Sequence, residues 1–186
     1  MGKIFITSDL HLGHQNIIKY EPISRPFATV EEMDDAIVER WNSKVGPHDT
    51  VYVLGDLCMG MRDKVRERVS RLNGHIILVR GNHDDKNRIA IYEEMGIEVK
   101  DIAYLSYKGR YFVMCHFPIA NEEFMKMISE KNLEICLLHG HTHQLNSFTV
   151  ENNFNIYHVG MDSHNLTPIS IEEIWEEIEE KKNEIN

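Results

Sequence analysis

Ile76-Ile77-Leu78-Val79-Arg80-Gly81-Asn82-His83-Asp84 is the stretch on which the fold turns. Its four apolar residues, three of them β-branched, read as a buried strand, and the polar residues behind them as the loop that hands the chain to a helical pattern. A strand followed directly by a helix is the repeating unit of a parallel α/β sheet, and such sheets bind ligands at the carboxyl ends of their strands. Taken alone, Gly81-Asn82-His83-Asp84 is also a serviceable turn, because Gly and Asn tolerate positive φ and Asp can cap a helix. The neighbouring segments decide between the two.

Upstream, the same pattern occurs twice. Lys3 to Ser8 reads as a first strand ending in Asp9-Leu10-His11-Leu12-Gly13-His14, and Thr50 to Leu54 as a second ending in Gly55-Asp56. Residues two apart in an extended segment share a face, so Asp9 and His11 can serve one ion. Between these strands lies a long connection, His14 to Phe27, with His14, Asn16 and Arg25 as polar landmarks; loops of this length beside a strand end are often functional. Thr29 and Glu32 form a capping box for a helix whose stripe is Met33, Ile37, Trp41 and Val45. A second helix, about Arg62 to Leu72, buries Val65, Val69 and Leu72 and turns a basic, solvated face outward. Asp84 or Asp85 caps a third, carrying Ile89, Tyr92 and Met95. Three strand-helix alternations predict a parallel sheet with right-handed crossovers.

Downstream the pattern changes. Ala103 to Tyr107 and Tyr111 to Cys115 read as a hairpin with His116-Phe117-Pro118 at its exit, followed by a helix over about Glu122 to Lys131. Glu134 to Leu138 leads as a strand into His139-Gly140-His141-Thr142-His143, and Ser147 to Val150 and Asn155 to Val159 read as late strands. The C-terminal helix puts Ile171, Ile174, Trp175 and Ile178 on one side, a face suited to packing on the rest of the chain. No repeat, low-complexity linker or composition shift divides the chain, so residues 1–186 are expected to form a single domain.

Composition narrows the function classes. Hydrophobic residues make up 42% and charged residues 27%, the balance of a globular protein with an ordinary core. No apolar run approaches the ~18 residues that a membrane span needs, which points to a cytoplasmic protein without membrane partners. Three cysteines without C-x-x-C spacing argue against a disulfide framework and a thiolate metal site. A net charge of −10 disfavours nonspecific binding to nucleic acid, and the basic helix lacks the interleaved aromatics of a single-strand groove.

The strand ends thus carry Asp9 and His11, Asp56, Asn82, His116, and His141 with His143. A given tetrapeptide arises by chance roughly once in 10⁵ positions, yet Gly-Asn-His-Asp and Gly-His-Thr-His both follow apolar strands here. In this order, Asp9-x-His11, Gly55-Asp56, Gly81-Asn82-His83-Asp84, His116 and Gly140-His141-Thr142-His143 resemble the calcineurin-like metallophosphoesterase family. The His14-x-Asn16-Ile17-Ile18 stretch is most similar to its small bacterial and phage members. The resemblance implies an α/β fold, a four-layer α/β/β/α sandwich with mixed sheets. It also implies two divalent ions, one on Asp9, His11, Asp56 and His143 and the other on Asp56, Asn82, His116 and His141.

Asp56 would bridge, each of its oxygens taking one ion. Two divalent ions against two carboxylates leave the pocket at about +2, a potential suited to phosphate, and a nitrogen-rich set favours Mn, Fe, Zn, Ni or Co over Mg or Ca. The implied reaction is attack on a phosphate ester by a hydroxide held between the ions. The substrate is expected to be a small phosphomonoester or phosphodiester. A nuclease or cyclic-nucleotide phosphodiesterase is the alternative, and a noncatalytic scaffold a further one. His83 would protonate the leaving group or stabilise charge, with Asp84 orienting its ring. His14, Asn16 and Arg25 are candidate contacts to the substrate phosphate, or braces of their loop. His139 is expected to be a packed core residue.

Overall fold

A computed structural model describes residues 2–118, 135–151 and 154–185, so the helix expected around 122–131 lies outside the described residues. The first half builds β1 (Ile4–Thr7), a short α1 (Ile17–Tyr20), α2 (Val30–Lys44), β2 (Thr50–Val53), α3 (Arg62–Val69), β3 (His75–Val79), α4 (Lys86–Glu94) and β4 (Glu98–Lys100). These four strands run parallel, as the strand-helix alternation predicts. The second half adds β5 (Ala103–Tyr107), β6 (Arg110–Met114), β7 (Ile135–His139), β8 (Phe148–Glu151), β9 (Phe154–His158), β10 (Ile169–Ser170) and α5 (Ile171–Ile185). β10 returns antiparallel to the outer side of β1, giving the order β10-β1-β2-β3-β4. The second sheet has the order β5-β6-β7-β9-β8, with β5 and β8 antiparallel to their neighbours. Two mixed sheets flanked by helices are the architecture that the family resemblance implies.

Period-two alternation explains how one sheet serves two cores. Phe5, Val51, Val53, Ile76 and Leu78 pack against Met33, Ile37, Trp41, Val65 and Tyr92 of the flanking helices. Ile6, Leu54 and Val79 belong instead to the core shared with Phe112, Met114, Cys136, Leu138 and Tyr157 of the second sheet. Ile171, Ile174 and Ile178 of α5 join that second core, so the apolar face of the last helix is docked. Thr29 caps α2 by accepting the Glu32 N–H at 3.2 Å, and Asp85 rather than Asp84 caps α4, its Oδ1 accepting from Asn87 and Arg88.

The basic face of α3 is paired. Arg62 and Arg66 meet Glu94, Lys64 meets Glu67 at 2.8 Å, Arg71 meets Asp35 at 2.6 Å, and Arg68 meets the buried Asp34 at 2.7 Å. The three cysteines are buried and in no disulfide, and burial pushes the Cys58 thiol up to about 12, which leaves it unreactive. No helix among the described residues is long and apolar enough to cross a membrane.

The carboxyl ends of β1, β2 and β3 meet those of β6, β7 and β9 along one edge. A bridge from Ser8 to Gly160 ties β1 to the exit of β9, and the Gly140 N–H donates to the His116 carbonyl at 3.0 Å. Behind this edge lie His139, His158 and His164. His139 Nδ1 donates to the Gly140 carbonyl at 2.8 Å and the residue sits at 2% exposure, the packed core residue expected of it. His158 is fully buried, held at Nδ1 by Ser163 Oγ, and burial pushes it down to about 3. His139 and His164 are also lowered by burial.

These groups make the fold acid-sensitive. The unfolded chain binds protons to them below about pH 6.5 and the native chain binds them only at lower pH, so stability is whole above that pH and falls as pH drops below it, down to about 3 for His158. Urea midpoints of metal-free protein are expected to decline from pH 7 to pH 4, by up to about 1.4 kcal/mol per pH unit for each such histidine. His158→Gln should flatten that slope; an unchanged slope would remove His158 from the account.

Candidate metal centre

The loops at this edge are built on unusual backbone. Asp9, His11, Asp56, His141 and His143 all adopt positive φ, between 49° and 69°. Each such non-glycine residue costs on the order of 1 kcal/mol and persists only where surrounding contacts impose it. Here they do: the Asp9 N–H reaches the Gly55 carbonyl at 3.0 Å and the His11 N–H the Asp56 carbonyl at 2.9 Å. The expectation that Asp9 and His11 share a side through an extended pleat is therefore corrected. Two left-handed residues flank Leu10, which drops fully into the core with Leu12 while both polar side chains swing to the site.

Close approach of the loops also requires glycine. A Cβ on Gly140 would overlap Ser8 Oγ and Asp9 Oδ2, and one on Gly81 would overlap Asp56 Oδ1. Gly140→Ala is expected to lower stability by about 1–3 kcal/mol and to weaken metal binding, as read by thermal melts with and without Mn²⁺.

The side chains converge with their functional atoms inward. Asp9 Oδ2 accepts from Ser8 Oγ at 2.6 Å and the His141 N–H at 2.9 Å, which leaves Oδ1 facing His11 Nε2 at 3.9 Å and His143 Nε2 at 3.8 Å. Asp56 Oδ1 accepts the His83 N–H at 2.8 Å, while Oδ2 faces His11 Nε2 at 3.7 Å and His116 Nε2 at 3.6 Å. A bridge in which each Asp56 oxygen serves one ion is thus not what the geometry offers: Oδ2 alone lies between the two ligand sets. The third cluster is Asn82 Oδ1, 2.8 Å from His116 Nε2 and 3.0 Å from His141 Nδ1, with the two ring nitrogens 3.2 Å apart.

Ring protonation follows from the outer contacts. His116 Nδ1 lies 2.8 Å from the Leu54 carbonyl, which can only accept, so Nδ1 carries the proton and Nε2 presents its lone pair. His143 Nδ1 likewise donates to Asp162 Oδ2 at 2.8 Å. His11 Nδ1 meets His14 Nδ1 at 3.1 Å, so one of that pair must donate. The result is a set of lone pairs aimed at one another: Asn82 Oδ1 against His116 Nε2 in one cluster, and Asp9 Oδ1 and His11 Nε2, both buried without a hydrogen-bond partner, in the other. Facing acceptors repel unless a cation separates them. Asp9, His11 and His143, and Asp9, Asp56 and His116, each place one ligand atom within 4.8 Å of the others. Carboxylate, imidazole and amide donors in this arrangement fit divalent ions.

The electrostatics agree. Burial lowers the His11 imidazole well below its ordinary value, with Arg25 and His143 adding to the effect, so it is neutral and ligand-ready. Burial also lowers His141, with His116 adding to it, whereas burial lifts the Asp9 carboxyl. A proton or a metal is what that buried carboxylate calls for.

The remaining candidates divide. The His83 ring is half-buried, 5.4 Å from that of His11 and 5.9 Å from that of His14. Asp84 does not orient it: its Oδ2 accepts the Asp56 N–H at 2.8 Å and the Gly81 N–H at 2.9 Å, pinning two ligand loops together. His14 is half-buried at the rim, and Asn16 is exposed at the start of α1 with no capping bond. Arg25, a candidate phosphate contact, is fully buried and its guanidinium is occupied by Asp162 and the carbonyls of Asp9 and Leu10. Of the two roles considered for it, bracing is the one its position allows.

The residue that sequence reasoning missed is Asp162, at 7% exposure on a 3₁₀ turn (Met161–Ser163). A signal existed. Gly160-Met161-Asp162 follows the strand Asn155 to Val159 much as Gly55-Asp56 follows β2, but it lies beyond the last motif.

Fold and site together define a metal-dependent phosphoesterase scaffold: paired mixed sheets whose strand ends gather Asp, His and Asn. The model of the calcineurin-like phosphoesterase superfamily domain matches residues 3–160, and the chain belongs to that superfamily, among hydrolases acting on phosphate esters. An uncharacterized protein of Methanocaldococcus jannaschii is 34% identical over 187 residues, covering 98% of this chain and 94% of its own. The gene 66 protein of Mycobacterium phage D29 is 29% identical, with 97% and 99% coverage. Among solved structures, a protein of unknown function from Aquifex aeolicus superposes with a TM-score of 0.75 at 26% identity, over 95% of this chain and 99% of that one.

Proposed function

We propose that this chain hydrolyses a small phosphomonoester or phosphodiester at a centre of two divalent cations. Asp9, His11, Asp56 and His143 would hold one, and Asp56, Asn82, His116 and His141 the other. The observation that carries the reading is the convergence of acceptors: Asn82 Oδ1 against His116 Nε2, and Asp9 Oδ1 and His11 Nε2 buried with no hydrogen-bond partner. Such ions lower the pKa of a water and neutralise phosphoryl charge. Their identity is proposed from the nitrogen-rich set as Mn, Fe, Co, Ni or Zn, and buried cysteines outside any disulfide fit a reducing compartment such as the cytoplasm.

The chain's own groups do the rest. Asp56 spans the two ligand sets through Oδ2 while the His83 N–H holds its other oxygen. The His83 imidazole, whose neighbour Asp84 is committed to backbone N–H groups, would give a proton to the departing oxygen. His14 presents the remaining nitrogen of its ring to a phosphate oxygen. Its imidazole is lowered by burial and by His83, so it would bind as a neutral donor. His14→Ala is accordingly expected to raise KM about tenfold with kcat changed less than about threefold, in steady-state kinetics on the best substrate.

A nuclease is the second reading. The pairing of Arg62, Lys64, Arg66 and Arg68 on α3, and of Arg71 just after it, with carboxylates counts against a phosphate-tracking surface there and supports small substrates. The deciding experiment is a panel of phosphomonoesters, phosphodiesters, nucleotides and single-stranded DNA assayed with Mn²⁺, with Asp56→Asn as the blank. Turnover of one class above the blank supports the reading. Full metal occupancy without turnover of any phosphate ester would leave a scaffold.

A further inference from the structure

Arg25 is fully buried, and one guanidinium serves two loops that are distant in sequence. Its Nε donates to Asp162 Oδ1 at 2.8 Å and its Nη2 to Asp162 Oδ2 at 3.0 Å, a side-on fork. Nη2 also donates to the Asp9 carbonyl at 2.6 Å and Nη1 to the Leu10 carbonyl at 3.0 Å. Asp162 is equally committed. Its Oδ1 receives Arg25 Nε and Ser24 Oγ, the latter at 2.6 Å, and its Oδ2 receives Arg25 Nη2 and His143 Nδ1. Burial opposes the charged form of Asp162, but bonds from His143, Arg25 and Ser24 outweigh it and hold the carboxyl far below the usual carboxylate range.

The first loop that Arg25 grips carries two ligands of one proposed ion position, Asp9 and His11, and the second carries Asp162, whose Oδ2 holds the ring of the third, His143. Among the described residues, no hydrogen bond of Arg25 or Asp162 reaches Asn82, His116 or His141. We infer that Arg25 and Asp162 are positioning residues that act selectively on the ion position of Asp9, His11 and His143, leaving the other position indifferent to them. The inference rests on the two-ion reading above.

Charge alone would not serve. A lysine at 25 keeps the charge but has no planar fork, so it cannot hold both Asp162 oxygens and two carbonyls at once. An asparagine at 162 keeps the volume but turns one of two oxygens into a donor. Each oxygen already receives two donors, so either amide orientation sets a donor against donors. With the amide nitrogen at the Oδ2 position, the proton on His143 would shift to Nε2, where it faces Asp9 and blocks ligation.

The test is calorimetric titration of metal-stripped protein with Mn²⁺, with electron paramagnetic resonance to separate a spin-coupled pair from isolated ions. In Arg25→Lys and Asp162→Asn, affinity for one ion is expected to fall about 10–100-fold and for the other less than about threefold, with an isolated-ion spectrum at one equivalent. Parallel weakening of both ions, or of neither, would overturn the selectivity. Wild-type protein that takes up fewer than two ions would instead fail the two-ion reading. Melts of metal-free protein check folding. Should both variants unfold, Ser24→Ala removes one of the four donors and should weaken the same ion severalfold; no change, or equal change at both ions, decides against the inference.

Discussion

Asp56→Asn is expected to abolish hydrolysis, by about 10³-fold or more, and to lose both ions rather than one. Asp56 Oδ2 stands 3.7 Å from His11 Nε2 and 3.6 Å from His116 Nε2, so it belongs to both ligand sets. The substitution removes one of only two carboxylates proposed as ligands, raising the charge that two divalent ions must bear from about +2 to about +3. It also forces a choice on the amide. Oδ1 must stay an acceptor for the His83 N–H at 2.8 Å, which puts the NH₂ group at the Oδ2 position, donors pointing at the cations. The opposite orientation leaves that backbone N–H facing a donor. Metal analysis of the variant should find fewer than one ion per chain at Mn²⁺ concentrations that saturate wild type. Retention of both ions with full turnover would remove Asp56 from the bridging role and with it the proposed centre.

His83→Asn is expected to do the opposite: keep both ions and cut turnover about 10²-fold or more. The contact that His83 makes to the ligand frame is its backbone N–H to Asp56, which asparagine preserves. Its ring, half-buried and 5.4 Å from that of His11, is what the substitution removes. If the ring delivers a proton to the leaving oxygen, the loss will be large for alkyl esters and small for nitrophenyl esters, whose leaving groups need no proton. An equal loss for both would move His83 from proton donor to charge stabiliser. Loss of an ion would show that it is a ligand.

Much of this was legible along the chain, and for a local reason. Strands announce themselves by apolar runs and their ends by polar punctuation, so the order of elements and the gathering of Asp9, His11, Asp56, Asn82, His116, His141 and His143 at one edge follow from patterns a few residues long. The Thr29 cap and the hairpin of β5 and β6 are equally local and appear where expected, although the Glu32 carboxylate accepts the Ala28 N–H rather than that of Thr29, so the expected capping box is only half formed. Arg25, Asp84 and Asp162 were opaque because a buried polar group is defined by its partner. Arg25 reads as a loop cation in an exposed-looking segment; its partner stands 137 residues away. Asp84 sits beside His83 in sequence yet spends its carboxylate on the backbone of Asp56 and Gly81.

By itself, then, the sequence determined which elements form, in what order, and which metal-ligating side chains stand at their ends, since hydrophobic periodicity and turn chemistry act within a few residues. The tertiary structure decided which atom of each side chain faces inward: Asp56 by Oδ2, Asp9 by Oδ1, His116 by Nε2 and His141 by Nδ1. It did so through left-handed loop residues and through donors brought in from distant segments. An unpaired polar atom in a buried site is costly, so each group turns to whichever partner the assembled fold supplies, and no sequence window contains that partner.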